Sequence, residues 1–196
     1  SEPMENTARG QRTALPARQD PMSPSATYIP IGDYAIRSLT SDDVPAITRH
    51  ANNRNVWVNL RDLFPFPYHS AHAQAWIRDV MADRPEMNFA IASAEEAIGG
   101  IGLHRQTDFM RRSAELGYWL GEEHWGKGIA TMAVKTMTAW GFAHMDIDRI
   151  FAQVFGWNPA SGRVLEKAGF TFEGRLRGAV YKAGRTTDLL TYGMLR

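Results

Sequence analysis

In the stretch WGKGIA, running from Trp125 to Ala130, two glycines stand one residue apart at the point where an amphipathic pattern begins. Glycine costs up to about 1 kcal/mol relative to alanine inside a helix, so Gly126 and Gly128 are a poor choice unless bare backbone is needed there. A helix start leaves its first amide N–H groups without partners, and missing Cβ atoms let an anion come close to them. The chemistry on offer is phosphate binding by the backbone of Gly126, Lys127, Gly128, Ile129 and Ala130, with the helix dipole adding ~0.3–1 kcal/mol per charge. A phosphate-bearing ligand suits such a loop and a metal ion does not, so no metal is expected. Two common phosphate motifs are absent. There is no Gly-x-x-x-x-Gly-Lys-Ser/Thr, and WGKGIA lacks the third glycine and the ribose-binding acid of a dinucleotide fold. By itself the glycine pair is equally the sign of an ordinary loop.

The elements that must position this loop have to come from 196 residues, 44% of them hydrophobic, enough for one well-filled domain and few for two. The formal charge is +1 with both signs interleaved, so no footprint for nucleic acid or an anionic membrane is expected, and small molecules and proteins are the expected partners. The chain has no cysteine, which excludes disulfides, thiolate metal sites and a cysteine nucleophile. No apolar run nears the ~18 residues of a membrane span, and no secretory segment stands near the start; a cytoplasmic protein is the expectation. Residues 1–27 are rich in Pro, Ser, Arg, Gln and Ala without apolar periodicity. They are expected to form a disordered tail before a domain spanning 28–196.

From Tyr34 the patterns sharpen. YAIRSL alternates as a strand, and Thr40 or Ser41 can cap a helix with acids in its first turn. Ser70 to Met81 has helical spacing after the proline-locked FPFPY. NFAIAS and AIGGIGLHR read as a hairpin, SAELGYWLG as a third strand, and the glycine-led segment from Ile129 as a long helix whose apolar stripe is core. RIFAQVF is a strand, NPASGRVLEKAGF a short helix, and the last residues are two strands around the turn KAGR. The expected order is βααβββαβαββ, an α/β protein with a mixed sheet.

The run ELGYWLGEEHWGKGIATMA, then NPASGRVLEKAGF, then GRTTDLLTYGML, resembles the GNAT superfamily of acetyl-CoA-dependent N-acetyltransferases. Within it the chain is similar to the Rim-type branch, which acetylates ribosomal-protein N-termini, and to its polyamine-acetylating relatives. The resemblance covers about Tyr34 to Arg196. It implies a GNAT fold with acetyl-CoA as cosubstrate, and a splayed strand whose backbone pairs with the pantetheine arm, at Tyr118, Trp119 and Leu120. The family's pyrophosphate loop, Gln/Arg-x-x-Gly-x-Gly/Ala, maps onto Trp125, Gly126, Lys127, Gly128, Ile129 and Ala130, with Thr131 just after. Gly128 and Ala130 match the pattern and Trp125 departs from it. The family's cofactor-touching asparagine maps onto Asn158, although Asn158 and Pro159 also read as an ordinary N-cap and first helical residue.

Acetyl transfer to an amine needs a base for the amine, a donor for the oxyanion and an acid for the leaving thiolate. The resemblance points to Glu115 as the base, acting through water, with Asp188 and His104 in reserve. The tyrosine that many relatives carry late in the short helix is Leu165 here, so either no protein acid is needed or Ser161 is the acid. The oxyanion donor is expected to be a backbone N–H near Leu120. Phe64, Phe66 and Tyr68 can wall the acceptor groove, or simply pack beneath a loop, and the family's closing strand often carries a substrate-orienting acid, here Asp188. A polyamine groove would gather acids, and only Asp62 lies near that segment. A peptide N-terminus or small-molecule amine is therefore the expected acceptor. A noncatalytic acyl-CoA sensor and a polyamine or aminoglycoside acetyltransferase remain alternatives. The oligomeric state is left open, a homodimer included.

Overall fold

The computed structural model describes residues 26–196. The tail expected over residues 1–27 therefore lies almost wholly outside the described residues. Its last member is part of the sheet edge: Thr27 N–H donates to Ser38 Oγ at 2.8 Å, and Ser38 N–H donates to the Thr27 carbonyl at 2.9 Å.

The chain runs through β1 (Tyr28–Ile31), β2 (Tyr34–Arg37), α1 (Val44–Ala51), α2 (Arg54–Trp57), α3 (Ser70–Ala82), β3 (Asn88–Ala92), β4 (Ala97–Arg105) and β5 (Ser113–Leu120). It continues with α4 (Ile129–His144), β6 (Arg149–Phe155), α5 (Pro159–Lys167), β7 (Thr171–Lys182) and β8 (Arg185–Leu195). Eight strands form one sheet in the order β1-β2-β3-β4-β5-β6-β8-β7. Every neighbouring pair is antiparallel except β5 and β6, so the sheet is mixed, as the sequence pattern predicts.

Two elements escaped the periodicity. Strand β1 is four residues long and carries Pro30, which has no N–H for a ladder and so is tolerated only on an edge, where β1 lies. Helix α2 is a single turn capped by Asn53, whose Oδ1 accepts from the N–H of Asn55 at 2.8 Å and of Val56 at 3.3 Å. Neither segment is long enough to show a period.

Helices α4 and α5 cover one face of the sheet. Ile129, Ala133, Val134 and Met137 of α4 and Leu165 of α5 pack there against Ile91, Leu103, Leu116 and Ile150. Helices α1 and α3 cover the other face, where Ile47, Ala51, Ala73, Ile77 and Val80 pack with Tyr68, Ala90 and Ala97. The apolar stripe expected on the long helix is thus the seam of the larger core. Among the described residues no helix is long and apolar enough to cross a membrane.

The turn between β2 and α1 is held by a buried carboxylate. Asp43 receives Arg37 through two bonds of 2.9 and 2.7 Å and the Thr40 N–H at 2.9 Å. Burial pushes the Asp43 pKa up, but Arg37 and Thr40 more than offset it and hold the group below its ordinary value. At the far end, the hairpin of β7 and β8 turns at Ala183 and Gly184, both with positive φ (52° and 75°), the conformation a tight two-residue turn needs. Lys182, 3% exposed, leaves this hairpin to pair with Asp62 at 2.9 Å and to lie 4.1 Å from the Trp57 ring centroid. The loop after α2 is thereby tied to the C-terminal hairpin.

Removing one partner of a buried ion pair strands the other, so Asp43→Ala should lower the unfolding free energy by about 3 kcal/mol in denaturant titrations. Because the folded-state pKa of Asp43 lies below the unfolded value, its contribution is complete above about pH 3.8 and is lost as pH falls through the folded pKa. Below that pH the parent and Asp43→Ala should converge in stability.

Candidate active site

Strands β5 and β6 pair over only three residues, Ser113, Ala114 and Glu115 against Arg149, Ile150 and Phe151. Beyond that point β5 stays with β4 as far as Leu120, and β6 stays with β8 as far as Phe155. The two strands part as the arms of a V. The pleat decides which backbone groups face the opening. Gln106 N–H bonds the Ser113 carbonyl and Gly121 N–H bonds the Ile98 carbonyl, so odd-numbered backbone groups of β5 point to β4. Asp148 N–H bonds the Arg112 carbonyl, so even-numbered groups point to β6. Past the last bridge, Glu115 to Phe151, the Leu116 carbonyl, both backbone groups of Tyr118 and the Leu120 N–H therefore face the open edge, which is the geometry that accepts an extended ligand as an added strand. Trp119, grouped with them from the sequence, has its backbone in the β4 ladder, and its side chain packs on Phe64 at 5.5 Å between ring centroids. The Leu120 carbonyl receives the Trp125 indole N–H at 2.8 Å.

At the mouth of the V lies the glycine loop. Gly126 and Gly128 have φ of 71° and 77°, and a Cβ on either would meet nothing within 4 Å. The protein itself therefore does not crowd them. They are glycine because left-handed backbone is needed to turn the chain from Trp125 into α4, and that turn leaves open space above the loop. Gly128 is the N-cap of α4 and supplies no side-chain cap. Among the described residues no protein acceptor bonds the N–H groups of Gly126, Lys127, Gly128, Ile129, Ala130 or Thr131. Lys127 is exposed beside them. Six unpaired amides, a helix dipole and a cation converge on one space.

Helix α5 begins on the opposite arm of the V. Asn158 Oδ1 accepts from Ser161 N–H at 3.3 Å, so this side chain is engaged as an N-cap. Ser161 Oγ lies 2.6 Å from the Tyr118 hydroxyl, which reaches across from β5. Burial pushes the Tyr118 pKa up to about 12; the Ser161 bond pulls the other way and nearby Tyr192 adds to the rise. Tyr118 is thus a neutral hydroxyl at physiological pH, paired with a second hydroxyl beside the opening. Leu165 is fully buried in the core under α5 and cannot take the place of a tyrosine acid.

On the other face of β5 stands Glu115, half-buried and in an ion pair with Arg61 from the loop after α2. His104 lies directly across from Glu115 in the β4–β5 ladder and is exposed. Phe64 is half-buried, 5.0 Å from Tyr68 between ring centroids. Tyr68 itself is only 4% exposed and belongs to the smaller core, where burial pushes its pKa to about 12. Phe66 is exposed and stacks on Trp57 at 5.4 Å. Asp188 sits near the far end of β6, where its carbonyl accepts from Gly156 N–H at 2.8 Å. Its carboxylate is occupied: Oδ1 takes the Gly178 N–H at 2.8 Å within the bulge of β7, and Arg175 lies 3.6 Å from Oδ2.

The V thus brings together Tyr118, Leu120, Ser161 and the glycine loop, with Glu115 at its vertex, while Tyr68 and Asp188 are engaged in packing and a bulge. Two participants were not legible in the sequence, the Tyr118 hydroxyl and Arg61. Each owes its position to contacts between segments far apart in the chain, and no local spacing carries them.

This arrangement was compared with known proteins. Residues 34–171 match the acetyltransferase (GNAT) domain family. The uncharacterized N-acetyltransferase YoaA of Bacillus subtilis (strain 168) is 39% identical over 102 residues, 52% of this chain and 57% of that protein. A ribosomal-protein-serine acetyltransferase of Escherichia coli (strain K12) is 30% identical over 107 residues, 55% of this chain and 59% of that protein. The chain thus spans a little over half the length of these two curated relatives. A crystal structure of spermidine N-acetyltransferase from Vibrio cholerae, in complex with CoA and spermine, superposes with a TM-score of 0.70 at 26% identity, covering 83% of this chain and 95% of that one. The family match spans residues 34–171, most of the described residues: the chain belongs to the GNAT acetyltransferases.

Proposed function

We propose that the protein transfers an acetyl group from acetyl-CoA to a primary amine by direct attack within a ternary complex. The observation that carries this reading is the V between β5 and β6, with the backbone groups of Tyr118 and the N–H of Leu120 open to it and six unpaired amides at its mouth. In this reading the amides from Gly126 to Thr131 hold the pyrophosphate. The even-numbered edge of β5 holds the pantetheine arm, and a backbone N–H near Leu120 stabilises the oxyanion. Acetyl-CoA supplies an activated thioester, and no covalent bond to the protein is needed.

The remaining steps fall to side chains. Glu115 takes the amine proton through water, its carboxylate oriented by Arg61. Ser161 gives its proton to the departing thiolate and regains one from the Tyr118 hydroxyl at 2.6 Å; solvent returns a proton to Tyr118 as Glu115 releases the one it took from the amine. A neutral Tyr118 can donate in this way, and its raised pKa keeps it neutral. The serine and tyrosine together do what a single tyrosine on α5 would do at the position Leu165 occupies.

For the acceptor, a peptide N-terminus or a small α-amine fits better than a polyamine. Both acids of this region are already paired, Glu115 with Arg61 and Asp62 with Lys182, so a polycation would find no free countercharge there. An α-amine is ~10–15% neutral at pH 7, whereas an alkylamine of pKa ~10.4 is neutral less than ~0.1% of the time, so the former asks less of the base.

Five outcomes test the reading. Acetyl-CoA at 100 times its Kd should raise the unfolding free energy by about 2.7 kcal/mol, seen as a thermal shift; no shift at millimolar acetyl-CoA would remove the cofactor assignment. Gly128→Asn, which tolerates left-handed backbone, should fold nearly as well as the parent, whereas Gly128→Val should lose stability as well as CoA affinity. Glu115→Gln should slow acetylation most at low pH and recover partly as pH rises, when free amine becomes plentiful. Ser161→Ala should cost less and show little such recovery. General acid or base help is worth ~100- to 10,000-fold, so a loss below about threefold with intact CoA affinity would exclude the residue concerned. A panel of peptides, polyamines and aminoglycosides, read by thiol release, should show turnover with α-amines first; binding without turnover on any acceptor would mark a sensor instead.

A further inference from the structure

Beside the glycine loop, outside the V, three side chains from two distant segments converge. His50 ends α1, and Glu123 and His124 belong to the 3-10 turn Glu122–His124 that links β5 to the loop. One ligand atom from each lies within 4.8 Å of the other two. Glu123 Oε1 is 3.2 Å from His50 Nδ1 and 3.7 Å from His124 Nε2. In a tetrahedral site with metal–nitrogen bonds of ~2.0–2.1 Å, neighbouring ligand atoms stand about 3.3 Å apart. The spacing is that of a shell needing only small side-chain movements to close.

Two features set this cluster apart from an ordinary surface group of histidines. His124 Nε2 is buried with no hydrogen-bond partner, a costly state that the fold retains. The His50 side chain is 3% exposed, and its second nitrogen, Nε2, meets Glu96 Oε1 at 2.8 Å. Glu96 is in turn paired with Arg49. A carboxylate on the far nitrogen is the arrangement that orients a metal-binding histidine and fixes its tautomer. Gly121 makes room for it, since a Cβ there would lie 2.6 Å from His50 Nδ1. A cavity of about 350 Å³ lined by Arg49, His50, Asn53, Glu122 and Glu123 opens the cluster to solvent.

We propose that His50 Nδ1, Glu123 and His124 Nε2 form a binding site for a borderline divalent transition metal, zinc above all, with water at the fourth position. Two imidazoles and one carboxylate suit zinc, and exclude calcium and magnesium, which want oxygen. The ion would fasten the end of α1 to the turn that carries the glycine loop. Asn53 and Asn55 already hold the same turn through Glu122, at 2.7 and 2.9 Å. Its role is to stiffen that turn, and it takes no part in acetyl transfer.

The test is calorimetric titration of Zn²⁺ into the tag-free, chelator-treated full chain, with Co²⁺ as a spectroscopic substitute. One saturable equivalent, a raised melting temperature and the visible absorption of tetrahedral cobalt are expected. Glu123→Gln, on an exposed side chain, and His124→Gln should each weaken zinc by more than about 100-fold, and Glu96→Gln by about 10- to 100-fold. His72→Gln serves as control, because His69 and His72 form a second histidine pair with rings 5.5 Å apart. Absence of one-to-one binding would overturn the proposal. So would affinity unchanged in both Glu123→Gln and His124→Gln, or binding lost only with His72→Gln.

Discussion

The structure turns on the parting of two parallel strands. Once β5 and β6 stop pairing after Glu115 and Phe151, a row of backbone N–H and C=O groups lies open in the middle of an eight-stranded sheet. Unpaired strand edges normally occur at the border of a sheet, where charge, proline or a covering element blunts them. Here the opening is held from both sides. β5 is locked to β4 over seven residue pairs and β6 to β8 over seven, so neither strand can relax toward the other without breaking an existing ladder.

The helices follow from that opening. α4 begins just past the end of β5 and α5 just past the end of β6, so both helix N-termini stand at the mouth of the V. Their treatment differs. Asn158 and Pro159 close the start of α5 with a side-chain cap and a residue that has no N–H to satisfy, whereas α4 starts at a left-handed glycine with its amides free. The uncapped start of α4 is thus the one of the two with amides free to meet an anion. Trp125, which departs from the family's loop pattern, fits this picture because its indole N–H closes the Leu120 carbonyl and its bulk marks the border between strand edge and loop.

The two faces of β5 divide the labour. Even-numbered side chains, Tyr118 among them, point toward α4 and α5. Odd-numbered ones, Glu115 and Trp119, point toward α1, α3 and the loop of Arg61 and Phe64. A two-residue period thus places Glu115 and the Tyr118–Ser161 hydroxyl pair on opposite sides of one opening. Lys182, buried against Trp57 and Asp62, holds the loop after α2 to the C-terminal hairpin and leaves Asp62 already paired.

What the sequence determined by itself is what local patterns encode. Alternation marked β2 to β6 and the final hairpin, helical spacing marked α1, α3, α4 and α5, and Gly126 with Gly128 marked an anion-ready helix start, because period and turn chemistry depend only on near neighbours. Four-residue β1 and one-turn α2 were too short to carry a period. Tertiary structure alone decided the rest. Where β5 and β6 part depends on the competing ladders of β4 and β8, so no residue in either strand announces it. Tyr118 meets Ser161, Arg61 meets Glu115, and His50 meets Glu123 and His124, only because the sheet order brings together segments distant in sequence. A hydroxyl, a guanidinium or an imidazole is the same residue in the sequence whether it faces water or a partner; its burial and its neighbour give it a chemical role.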